Sequence, residues 1–230
     1  MKILLTNDDG IEAPGLAALL EAMSEHGSVV VVAPSQPMSG ASHQVTVDGP
    51  LVVHSLGADR YAVDGSPADC TRAGLLEICP DVDWVMAGIN LGANLGVDVW
   101  MSGTVGAVRE AALLGRRAIA WSQYFALQDS VDWALASRAA STLFPQLQQQ
   151  EVHPGGYWNI NFPDSADLLQ DPARWQLAPL DHHPLPVSYE KQADGYHYRC
   201  VYRQRPCEPG SDVATCFGGL TSVTELKIGS

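Results

Sequence analysis

The order of apolar segments in the first 34 residues constrains the fold most. Ile3-Leu4-Leu5-Thr6 is too brief for a helix and suits a strand buried on both faces of a parallel sheet. Leu16, Leu19, Leu20 and Met23 then fall at i, i+3, i+4 and i+7. Pro14 suits the first helical turn and Gly27 is placed to end the helix. Val29 to Val32 supplies a second strand. Strand, helix and strand in so short a span form a βαβ unit, whose crossover is right-handed and whose strands run parallel.

The alternation continues. Residues 51–54 and 61–63 read as short strands, and Ser66-Pro67-Ala68-Asp69 as a helix-opening cap, with the helix reaching about Cys79. Trp84 to Ala87 is another strand, 88–103 a glycine-rich loop, and Thr104 to Leu114 a helix closed by Gly115. Ala118 to Trp121, a longer helix over 130–149, and Trp158 to Phe162 complete the series. The fold class is α/β: a Rossmann-like, mostly parallel sheet with helices on both faces. After Pro163 prolines punctuate short segments, periodicity weakens, and Tyr196 to Tyr202 predicts a hairpin arm. The chain divides into a catalytic domain over 1–165 and a C-terminal extension with that hairpin over 166–230.

Composition removes several classes of function. Thirteen basic against 26 acidic residues give a net charge of -13, with acid in excess in both halves. No face is basic enough to hold a nucleic-acid polymer, and an anionic membrane surface repels the chain. Five cysteines, an odd number without a Cys-x-x-Cys pair, argue against a disulfide framework and a structural zinc. Reduced thiols point to the cytoplasm. The apolar run before Asp8 is too short for a signal-peptide core, and no stretch reaches the roughly 18 apolar residues of a membrane span.

In a doubly wound sheet, ligands bind beyond the carboxyl ends of the strands. Three loops there are unusual: Asn7-Asp8-Asp9-Gly10, Ser39-Gly40-Ala41-Ser42, and Gly88 to Thr104. Adjacent carboxylates after a buried strand repel each other unless a cation or hydrogen bonds offset the repulsion. Asp8 and Asp9 read equally as helix-capping turn residues or as ligands of a divalent ion. With Ser39 and Asn90 they would make an all-oxygen site suited to Mg²⁺ or Mn²⁺. Taken singly, Ser39 and Asn90 are ordinary loop hydrogen-bonders. The seven histidines show no metal-binding spacing. Ser102-Gly103-Thr104 opening a helix reads as an N-cap or as an anion cradle of backbone N–H groups and hydroxyls.

Taken in order, these segments resemble the SurE (survival protein E) family of metal-dependent nucleotidases. The resemblance rests on Ile3 to Ile11 with Ala13-Pro14-Gly15, Val32-Ala33-Pro34 with Ser39-Gly40, and Gly65 to Cys70. It continues through Gly88-Ile89-Asn90, Asn94-Leu95-Gly96, Ser102 to Val105 with Glu110, and Asn159 to Pro163. It implies Asp8, Asp9, Ser39 and Asn90 as metal ligands, and Asn94, Ser102, Gly103 and Thr104 as the residues that hold phosphate. It implies a Mg²⁺- or Mn²⁺-dependent phosphatase acting on nucleoside monophosphates, with 3′-nucleotides and short polyphosphate as further substrates. The C-terminal part then swaps segments between subunits, so that residues 185–230 build a homodimer or homotetramer. Ser66 stands where the family usually has Thr, Glu225 where Pro-Leu is common, and the chain is shorter than many members; none of these departures touches an expected ligand.

The mechanism that follows is hydrolysis by a metal-activated water, with no covalent intermediate and with Asp8 and Asp9 catalytic. Asp9 is also a candidate proton acceptor, although a metal-bound carboxylate is a poor base. Three rivals fail on particular residues. A receiver domain needs a lysine after a central strand, and Lys2, Lys191 and Lys227 are elsewhere. A dinucleotide-dependent oxidoreductase needs Gly-x-Gly-x-x-Gly where residues 7–12 carry acids. A haloacid-dehalogenase-type phosphatase needs Asp-x-Asp, and Asp8 and Asp9 are contiguous.

Overall fold

The computed structural model describes residues 1–126 and 131–229. Its strands are β1 (Lys2–Thr6), β2 (Ser28–Pro34), β3 (Val53–Gly57), β4 (Arg60–Val63), β5 (Trp84–Leu91) and β6 (Arg117–Gln123). They are followed by β7 (Gly156–Phe162), β8 (Trp175–Leu177), β9 (Ser188–Gln192), β10 (Gly195–Arg199) and β11 (Thr221–Lys227). The helices are α1 (Pro14–Ser24), α2 (Pro67–Ala73), α3 (Gly103–Leu113), α4 (Trp133–Gln148), α5 (Ser165–Leu168) and α6 (Asp212–Phe217). Among the described residues one 9-stranded sheet runs in the order β3-β4-β2-β1-β5-β6-β7-β11-β8, and β9 and β10 pair apart from it.

The pairs from β4 through β2, β1, β5 and β6 to β7 are all parallel. β3 joins the sheet antiparallel at one edge and β11 joins antiparallel to β7. Leu4, Val30, Val32 and Val85 pack with the α2 and α3 side, whereas Ile3, Leu5, Val31 and Met86 pack with α1 and α4. The period-2 split of consecutive apolar residues onto two covered faces is why these strands read as unbroken apolar runs. The sheet is thus mostly parallel and doubly covered, as the sequence predicts.

Helix starts follow local chemistry. Ser66 and Asp69 form a reciprocal capping box at α2, with Pro67 at its first turn. Past Ala73 the chain widens into a π turn over Gly74–Ile78, which accounts for the helical reading as far as Cys79. Two strands escaped the sequence reading. β8 has three residues, and β11 alternates polar Ser222 and Thr224 into a buried face opposite Asn161 and Asn159. β8 and β11 therefore return from beyond residue 165 into the central sheet. The expected hairpin is present as β9–β10: β10 overlaps Tyr196 to Tyr202 as far as Arg199, and β9 lies four to eight residues before Tyr196. Of the loop over 123–130, residues 127–130 lie outside the described residues.

Candidate active site

The strand order reverses at β1. Its connection through α1 leads to β2 on one side, and β5 pairs with it on the other. That switch point is where an open α/β sheet leaves a crevice for ligand, and Asp8 and Asp9 emerge there from β1 beside Asn90 near the end of β5.

Asp8 is 4% exposed. The Thr104 hydroxyl donates to its Oδ1, and the Met38 N–H donates to its backbone oxygen at 2.7 Å. α3 approaches so closely that a Cβ on Gly103 would lie 2.9 Å from Asp8 Cβ and 3.0 Å from Asp8 Oδ2. Only glycine allows the helix start and the carboxylate to share this space. Asp9 is less enclosed, and its Oδ2 accepts the Leu91 N–H at 3.0 Å. Burial pushes the Asp8 carboxyl up to about 6 despite the Thr104 hydrogen bond, with the Asp9 charge adding to the rise. Burial also raises Asp9, against the pull of the Leu91 N–H.

The other expected residues lie on the neighbouring loops. Asn90 donates from Nδ2 to Gly92 O at 2.7 Å, which turns its Oδ1 into the available acceptor. Ser39 directly follows Met38, the residue tied to Asp8, and is exposed. Ser102 caps α3, its Oγ accepting the Val105 N–H at 3.1 Å. Asn94 is buried, and its Nδ2 donates to Ser122 Oγ at 2.8 Å.

The sequence reading missed how Asn94 is held. Asn161 accepts the Asn94 N–H at 2.7 Å through Oδ1 and donates from Nδ2 to Asn94 O at 3.1 Å; Asn159 Nδ2 donates to the same oxygen at 2.8 Å. These two amides clamp both backbone groups of one residue. Their signal in the sequence was a pair of amides at i and i+2 in an otherwise apolar buried strand, where a polar group costs free energy unless it is bonded.

The donor set fits a hard divalent cation. Two carboxylates, each with one oxygen committed to a donor, together with the oriented Asn90 Oδ1, offer oxygen only. Burial is what raises the Asp8 carboxyl, and a bound cation would offset that cost. Beside the Met38 loop, at the carboxyl ends of β2 and β4, lies a polar cavity of about 330 Å³ lined by Ser35, Gln36, Gln44 and Asp64 among others.

Fold and site together define a Rossmann-like α/β protein whose switch-point crevice joins a carboxylate pair to the amino end of a helix. The family model of survival protein SurE matches residues 3–180. The chain belongs to the SurE family. A relative from Synechocystis sp. is 46% identical over 228 residues, 99% of this chain and 100% of its own. The 5′-nucleotidase SurE of Alkalilimnicola ehrlichii is 38% identical over 239 residues, covering 99% of this chain and 90% of its own. The crystal structure of the SurE protein from Aquifex aeolicus superposes with a TM-score of 0.85 at 30% identity, over 99% of this chain and 93% of that one.

Proposed function

We propose that this chain is a metal-dependent 5′-nucleotidase that hydrolyses nucleoside monophosphates at the β1/β5 crevice. The observation that carries the reading is the Thr104 to Asp8 hydrogen bond, which fixes a buried carboxylate against the start of α3. Asp8, Asp9, Ser39 and Asn90 hold Mg²⁺ or Mn²⁺. When bound, such an ion supplies Lewis acidity, offsetting charge on the phosphoryl group and lowering the pKa of an attacking water.

The chain's own groups do the rest. The phosphate rests against the start of α3, where backbone N–H groups of Gly103 and Thr104 and the helix dipole favour an anion. The Thr104 hydroxyl is spent on Asp8, so this residue serves the phosphate through its N–H. Asn94 keeps its second amide hydrogen for a phosphate oxygen, and the Asn159–Asn161 clamp holds it there. These donors are preorganised for the charge that grows on the equatorial oxygens during transfer to water. The cavity between Gln36 and Asp64 gives the nucleoside room. The same phosphate chemistry admits 3′-nucleotides and short polyphosphate.

The β9–β10 hairpin stands off the main sheet with Tyr189, Tyr196 and Tyr198 at 65%, 70% and 55% exposure, which supports a homodimer or homotetramer built through it. Among the described residues no helix is long and apolar enough to cross a membrane, and the reduced thiols support a cytoplasmic enzyme.

The test is phosphate release from a panel of nucleoside monophosphates with Mg²⁺, with Mn²⁺ and with chelator, for the native chain and Asp8→Asn. Release that needs the ion and falls at least 100-fold in the variant is the expected result. Release that persists in chelator, or in the variant, would overturn the assignment.

A further inference from the structure

Ser39 stands in a segment, residues 35–52, that contains no helix or strand and is largely exposed. Such a loop does not by itself hold a side chain to the few tenths of an ångström that ligation needs. Its attachments bracket Ser39 closely. On one side the Met38 N–H bonds Asp8 O. On the other, Ser42 Oγ donates to Trp100 O at 2.6 Å, the Ser42 N–H to Met101 O at 3.2 Å, and His43 Nε2 meets Glu110 Oε2 at 2.7 Å.

Glu110 is an unusual anchor. Its side chain is 3% exposed, and its second oxygen accepts Arg72 Nε of α2 at 2.6 Å. Arg109 Nε donates to His43 Nδ1 at 3.0 Å. Nδ1 therefore accepts from Arg109, and Nε2 is the edge that faces Glu110. The ring is fixed from both edges.

One stripe of α3 touches both Asp8 and the loop. Gly103 meets Asp8; one turn on, a Cβ at Gly106 would lie 2.2 Å from Ser42 O; one turn further, Glu110 holds His43. The spacing of i, i+3 and i+7 keeps the three on one stripe. The helix whose amino end faces the phosphate thus also sets where the Ser39 loop lies.

We infer that the His43–Glu110 pair is a positioning element for the ion site, holding Ser39 in register with Asp8 and the start of α3 so that the apo site is already shaped for a divalent cation. The inference rests on the ion assignment above. It gives Glu110 a task beyond neutralising Arg72, because its Oε2 reaches out of the helix layer to a loop residue four positions from Ser39.

The experiment is a titration of the metal-free chain with Mn²⁺ alone, followed by the loss of the free-ion electron paramagnetic resonance signal, for the native chain, Asp9→Asn, His43→Leu and His43→Gln. Leucine can make neither contact of the imidazole. Glutamine has one acceptor for Arg109 and one donor for Glu110 and can restore both. His43→Leu is expected to bind Mn²⁺ at least tenfold more weakly than the native chain with its unfolding midpoint little changed, and His43→Gln to recover to within about threefold. If His43→Leu does not fold, Ser42→Ala, which removes only the bond to Trp100 O, is expected to weaken Mn²⁺ severalfold. Native-like binding by His43→Leu, or by Ser42→Ala in its place, while Asp9→Asn fails to bind, would overturn the positioning role and leave the ion site standing. A native chain that takes up no Mn²⁺ would overturn both.

Discussion

Asp8 is where folding and chemistry conflict. Its carboxyl sits at about 6 in the fold against an ordinary 3.8, chiefly because it is buried. Between those two values the folded chain keeps a proton that the unfolded chain has released. Stability of the metal-free protein therefore falls as pH rises through this window and stays lower above it, by at most about 3 kcal/mol. Asp8→Asn removes the charge and keeps an acceptor for Thr104. The substitution is expected to stabilise the chelator-treated protein by about 1–3 kcal/mol at pH 7 and by little near pH 4, as read by urea unfolding at both pH values. Equal effects at the two would contradict the burial argument. At this scale the sequence was most legible at the carboxyl ends of β1 and β5 and at the start of α3: Asp8 follows β1, Asn90 lies near the end of β5, and Gly103 and Thr104 meet Asp8. What it did not reveal was the division of labour. The Thr104 hydroxyl serves Asp8, and that contact spans 96 residues of chain.

Among elements, β7 shows why legibility ended where it did. Asn159 and Asn161 face Asn94 across separations of 65 and 67 residues, so no local pattern announces their partner. Asn161 makes two hydrogen bonds to one backbone, and its loss leaves a buried N–H and C=O short of partners. Asn161→Ala is expected to cost about 1–3 kcal/mol in stability and to lower kcat/KM more than tenfold. Unchanged kinetics in Asn161→Ala would remove the clamp from the account of the site. Helices α2 and α3 were legible because their caps are local: Ser66 with Asp69, and Ser102 with Val105, act within three residues; the short α5 and α6 escaped the sequence reading although Asp164 and Ser211 cap them in the same way. β11 was not, because its buried Ser222 and Thr224 answer the amides of β7 and erase the apolar alternation by which a strand is recognised.

For the whole molecule, the switch point at β1 gathers the site, and the sheet that supports it draws on both ends of the sequence. β11 lies between β7 and β8, so removing residues from 219 onward exposes the open edge of β7 and the Asn159 and Asn161 side of the site. Such a truncated chain is expected to lose its cooperative unfolding transition by circular dichroism; a native-like transition would show that β11 is dispensable. An acidic molecule, at net -13, steers anionic substrates poorly over distance. Attraction must then arise inside the crevice, and this makes the ion the centre of the account. The most direct measurement is anomalous diffraction from crystals soaked in Mn²⁺. The account predicts a peak within roughly 2.0–2.6 Å of the carboxylate oxygens of both Asp8 and Asp9, with Asn90 Oδ1 beside it, absent in Asp9→Asn crystals. An empty β1/β5 crevice in Mn²⁺-soaked native crystals, or a peak held by other side chains, would contradict it.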